Sequence, residues 1–113
     1  MRSMKVQDVS YPSEILEQLR SLGARVRTAR IRRKLRLHDL AARAGVSRTA
    51  LSAVESGAPT TGIGTYLRVL WAMGLNQEFE LLADPGLDRD GLGLEISVQT
   101  KRVGVRRKVS NDF

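Results

Sequence analysis

The stretch Leu37–Ser56, LHDLAARAGVSRTALSAVES, narrows the folding options of this chain more than any other. Two short alanine-rich helical patterns flank Gly45. A glycine inside a helix costs about 1 kcal/mol relative to alanine, so the stretch reads as helix, corner, helix rather than one continuous rod. Leu40, Ala41 and Ala44 share one face of the first pattern, Gly45 supplies the positive φ that ends it, and Val46 plugs the corner. Ser47 then stands at an N-cap position, its hydroxyl placed to accept a hydrogen bond from the backbone of Thr49 or Ala50. Leu51 and Val54 face inward on the second helix, which leaves Arg48, Thr49, Ser52 and Ala53 outside. Small alanines at 41 and 44 allow a close helix crossing. The outward set is short, polar and led by an arginine, as a helix entering a groove requires.

Charge says what such a corner is presented to. The chain has 113 residues, 19 Lys and Arg against 12 Asp and Glu, and a net charge of +7, a balance that favours an anionic partner such as nucleic acid. Only 4% of residues are aromatic, which disfavours a base-stacking platform for single strands and leaves duplex binding open. With no cysteine, disulfides and thiolate zinc sites are excluded. No apolar run approaches the roughly 18 residues of a membrane span, and MRSMKVQDVSYPSE lacks the apolar centre of a secretory signal, so a cytoplasmic, nucleoid-associated protein is expected.

Three parts are expected: an arm over residues 1–12, a helical domain over 13–83, and a tail over 84–113 that begins at the turn signal Asp84-Pro85-Gly86. In the first helical pattern Ile15, Leu19, Leu22, Val26 and Ala29 draw one apolar stripe, which Gly23 is placed to split. Its last turns carry Arg27, Arg30, Arg32, Arg33 and Lys34, either a solvated face that complements the helix dipole or a set of contacts to DNA phosphates. Downstream, Ile63, Tyr66, Leu67, Leu70 and Trp71 continue the core with Trp71 as a core or interface anchor, Gly74 ends that helix, and Phe79, Leu81 or Leu82 close the domain in a short last helix.

These residues resemble the helix-turn-helix of the lambda-repressor-like, XRE-type regulators: Ala41, the turn glycine Gly45, apolar Val46, Leu51 and Val54, then Glu55-Ser56-Gly57. The similarity extends upstream through LGARVRTARIRRKLRL and downstream through TTGIGTYLRVLWAMGL, covering roughly residues 22–83. The resemblance implies an all-α, five-helix domain, with a supporting helix from Arg36 or Leu37 to Ala44 and a recognition helix from Ser47 to Glu55. It also implies that Arg48, Thr49 and Ser52 face base edges, while Ser47, Thr61 and Thr65 touch phosphates. Arg48 carries the most weight, because a guanidinium pairing with guanine O6 and N7 discriminates by about 1–3 kcal/mol; its alternative is a salt bridge to a neighbouring acid. Where many members have Thr-Gln, this chain has Arg36-Leu37, so the usual cap and glutamine phosphate contact are missing, and Arg36 or His38 is expected to substitute. A lone histidine suggests neither metal nor catalysis.

The tail has a different texture. In LEISVQT, Leu94, Ile96 and Val98 alternate with Glu95, Ser97 and Gln99, which predicts a short β-strand pairing with the same strand of a second subunit. The cations Lys101, Arg102, Arg106, Arg107 and Lys108 follow, expected to meet phosphates or an acidic protein surface, or to stay disordered in the free protein. A regulator domain followed by a strand and a basic tail resembles the antitoxins of HipBA-type toxin–antitoxin operons. That resemblance implies a homodimeric repressor of its own operon that reads double-stranded operator DNA and holds a HipA-like kinase toxin. A stand-alone regulator and a protein-interaction adaptor are the other readings. Catalysis is not expected, since no paired acids, Ser–His–Asp set or phosphate loop can be nominated; Asp88 and Asp90 are isolated acids in a turn, and no cofactor or metal is called for.

Overall fold

The computed structural model describes residues 11–110, with side chains through residue 102. The expected arm therefore lies outside the described residues apart from its last two. The described residues form five α-helices and a 3-10 helix, with no strand. The chain separates into two units, one up to Gln77 and the other from Glu78 onward.

In the first unit, α1 (Ser13–Arg32) runs unbroken through Gly23, α2 (Leu37–Ala44) and α3 (Arg48–Ser56) make the corner, and α4 (Ile63–Ala72) packs against both. The expected split at Gly23 does not occur, because that glycine is used for close approach. A Cβ there would lie 2.5 Å from the carbonyl oxygens of Val54 and Glu55, so the backbone of α1 rests directly on the end of α3. Gly57 repeats the device from the other side, its missing Cβ leaving room for the backbone of Leu19 and Arg20.

Each helix of this unit closes in the same way. After α2, Val46 N–H donates to Ala41 O (3.0 Å) and Gly45 N–H to Ala42 O (3.2 Å), with Gly45 at φ 72°. Paired bonds of this kind satisfy carbonyls that the helix end would otherwise leave without partners. The pattern recurs at Gly57 and Gly74, and after α1 at Lys34, a non-glycine residue at φ 57°.

The core follows from the helical spacing of apolar residues. Val26 of α1, Leu40, Ala41 and Ala44 of α2, Leu51 and Val54 of α3, Tyr66 and Val69 of α4, and Met73 beyond it are buried together. Each large aliphatic side chain so enclosed contributes about 1.5–3 kcal/mol. Leu19, Leu22 and Ala29 pack on this cluster, whereas Ile15 is exposed. Of the two expectations for Trp71, core or interface anchor, the core one does not hold, since 60% of its surface is exposed.

A 3-10 helix, Gln77–Leu81, stands where a short closing helix is expected, but Leu81 and Leu82 are exposed rather than closing the core. A turn built on Asp84 leads to α5 (Arg89–Ser110), whose first turn is capped by Asp88 as its Oδ1 accepts Gly91 N–H at 2.9 Å. Leu94, Ile96 and Val98 therefore lie on a helix, and the expected dimer strand is absent. The reason is backbone satisfaction: an unpaired strand leaves its N–H and C=O groups without partners, whereas a helix pairs them within the segment. The same residues also permit helical spacing, Leu92 with Ile96 and Leu94 with Val98 each being four apart. The cationic run continues α5 as far as Ser110. No described helix is long and apolar enough to cross a membrane.

Candidate nucleic-acid interface

The exposed face of α3 is polar and held in a fixed orientation. Ser47 caps the helix, its Oγ accepting Ala50 N–H at 3.0 Å, which satisfies one of the free amides of the first turn. Leu51 and Val54 are fully buried, and this fixes the rotation of the helix. Arg48, Thr49 and Ser52, at helical steps of three and four, are consequently exposed together, while Ala53 is half-buried. Among the described residues Arg48 takes part in no salt bridge, so its guanidinium is available to a ligand.

The other residues expected to meet phosphates in the first unit sit at the starts of two other helices. Arg36 precedes α2, and because an arginine side chain has no acceptor, capping there runs only in the return direction: Arg36 N–H donates to the Asp39 carboxylate at 2.9 Å. His38 is exposed, with Nε2 3.2 Å from Asp39 Oδ1. Thr61 and Thr65, half-buried, flank Gly62 and Ile63 at the entry to α4, where added side chains at Gly62 or Gly64 would meet nothing within 4 Å. Lys101 and Arg102 are exposed on α5 in the second unit. Arg106, Arg107 and Lys108 belong to the same helix, and their side chains lie outside the described residues. Among the described residues no group of acids and histidine is arranged to hold a metal ion.

What the sequence reading missed is the apparatus that holds α3 in place. Arg30, expected with the cations that face solvent or phosphate, is instead buried. Its Nε donates to Glu55 Oε2 at 2.6 Å, Nη2 to Glu55 Oε1 at 3.1 Å, and Nη1 to Leu35 O at 2.9 Å. This fork ties the end of α1, the chain entering α2, and the last turn of α3. The hydrogen bond that Arg30 donates to Glu55, larger than the opposing cost of burial, raises the Arg30 pKa above its usual value. A signal was present: Arg30 lies four residues after Val26 on the apolar stripe, and Glu55 follows inward-facing Val54. Arg33 also departs from a purely solvated role, donating to Ala29 O at 3.0 Å and Met73 O at 3.3 Å and so stapling the ends of α1 and α4. Tyr66 donates its phenol proton to Ala58 O at 2.9 Å, and burial raises its pKa.

The arrangement presents a short polar helix face on a braced corner, under a strongly positive net charge. A model of the family described as "Helix-turn-helix domain" matches residues 21–82, more than half of the chain. No curated protein and no solved structure matches it. The chain belongs to the helix-turn-helix domain family, as a DNA-binding regulator of the XRE-like kind.

Proposed function

We propose that the chain is a sequence-specific transcriptional repressor that binds double-stranded operator DNA as a homodimer. Arg48, Thr49 and Ser52 read base edges in the major groove, and Ser47, Arg36, His38, Thr61 and Thr65 set the register on the phosphates. The observation that carries this reading is the outward set on α3, exposed and led by an arginine that makes no salt bridge among the described residues, on a helix whose rotation is fixed by Leu51 and Val54. A two-fold partner would place a second recognition helix about 34 Å away, or a multiple of that distance, along the duplex. Exposed Ile63 and Trp71 on α4 offer apolar surface for such a partner.

The finer assignment, an antitoxin of the HipBA type, drew on a strand and a basic tail. With α5 in place of the strand, the basic run from Lys101 onward is its remaining support. Pull-down of the tagged chain from its host, with bound DNA sequenced and bound protein identified by mass spectrometry, tests both levels. Recovery of its own promoter supports the repressor, and a kinase-like protein in the same sample adds the antitoxin role. Promoter without kinase leaves a stand-alone regulator, and neither DNA nor DNA-dependent proteins would overturn the proposal in favour of an adaptor.

A further inference from the structure

Arg68 of α4 reaches across to the helix-turn-helix corner. Its Nη1 donates to Ala44 O at 3.2 Å, one of the last carbonyls of α2, which the helix itself leaves without a partner. A cation at a helix C-terminus also complements the partial negative charge there. The approach depends on residue 45 having no side chain, since a Cβ on Gly45 would lie 2.8 Å from that same nitrogen. Only Gly45 and Val46 separate Ala44 from Ser47, the cap of α3, so any tilt at this carbonyl is passed to the start of the recognition helix.

We propose that Arg68 is a positioning residue for DNA reading: it locks the corner between α2 and α3 to α4, and thereby sets the angle at which Arg48 is presented. It acts through the backbone of the corner and touches neither base nor phosphate. Gly45 accordingly has two jobs, adopting the left-handed conformation and clearing a path for the guanidinium. This inference rests on the proposed DNA-binding function, but it has a consequence that needs no DNA.

The test compares the full-length chain with R68Q and R68K. Amide hydrogen exchange at Gly45 and Val46 is read without DNA, and affinity is read for a duplex selected by the wild type against a scrambled duplex over a range of salt. In R68Q, exchange at these two amides is expected to quicken roughly tenfold, the scale of one lost charge-assisted hydrogen bond. The ratio of selected to scrambled affinity is expected to fall by about the same factor, with an unchanged salt slope. R68K, which keeps a donor and a charge, should lie between R68Q and wild type in both measurements. Unaltered exchange at Gly45 and Val46 in R68Q would overturn the proposal. So would a salt slope reduced by about one with an unchanged affinity ratio, which would make Arg68 a direct phosphate contact. If the wild type itself selects no duplex, the DNA-binding reading fails, and the exchange data alone decide whether Arg68 holds the corner.

Discussion

The corner of α2 and α3 and the helix α5 are both built from short runs of apolar residues between polar ones, yet only the corner buries them. In α3, Leu51 and Val54 recur at three residues, next to a serine cap and a glycine closure, and both are fully enclosed. In α5, Leu92, Leu94, Ile96 and Val98 recur at two residues, and all four are exposed on the helix that carries them. Apolar spacing decides what a segment can bury, whereas backbone hydrogen bonding decides what it becomes when nothing is available to bury it. The first unit satisfies both demands with one geometry. The second satisfies the backbone alone.

The largest effect that tests this contrast lies at the brace of the first unit. Glu55→Ala leaves the Arg30 guanidinium enclosed without its carboxylate, and the expected loss is about 3–5 kcal/mol in urea unfolding. A loss below about 1 kcal/mol, the range of exposed pairs, would show the ion pair to be ornamental and the corner to be held by packing alone. Next in size is a gain. Lys34→Gly removes a left-handed non-glycine residue from the closure of α1 and is expected to stabilise the chain by about 1 kcal/mol, read as a raised midpoint with unchanged denaturant slope.

A pH effect follows from Tyr66. Burial raises its pKa in the folded state above the ordinary value near 10, so the folded chain holds its phenol proton more tightly than the unfolded chain does. Stability is therefore full below pH 10 or so and declines as pH rises toward the folded-state pKa. Thermal melts of wild type and Tyr66→Phe should converge across that alkaline window, because the variant has no phenol to ionise; parallel curves would remove Tyr66 from the account. The smallest effect belongs to α5, where Ile96→Ala should change unfolding stability by no more than about 0.5 kcal/mol. A loss of about 2 kcal/mol would mean that Ile96 is buried in the native assembly and would undo the contrast with α3.

The legible parts of the molecule were those with local chemical punctuation. Ser47, Gly45 and Gly74 announce a cap and two closures within a few residues of the event, and Leu40, Ala41, Ala44, Leu51 and Val54 announce their faces by spacing. Arg30 and Glu55 were harder, because they are 25 residues apart and each is charged, so only their positions on inward faces betray a buried pair. Gly23 suggests a split in the helix because its local cost is certain, while its benefit is a contact with the backbone of α3 that no local pattern records. The alternation of Leu94, Ile96 and Val98 was compatible with two periods at once, and the capping of α5 by Asp88 favours the helical one.

The most direct test of the central claim is binding of wild type and Arg48→Ala to duplexes drawn from a randomised pool, at several salt concentrations. The account predicts that the wild type enriches a defined site with log affinity falling linearly in log salt. It also predicts that Arg48→Ala loses about 1–3 kcal/mol on that site while keeping its affinity for scrambled duplex within the contribution of one charge. Equal affinity of the two proteins for the selected site, or a wild type that enriches no sequence and shows no salt dependence, would contradict the assignment of base reading to the exposed face of α3.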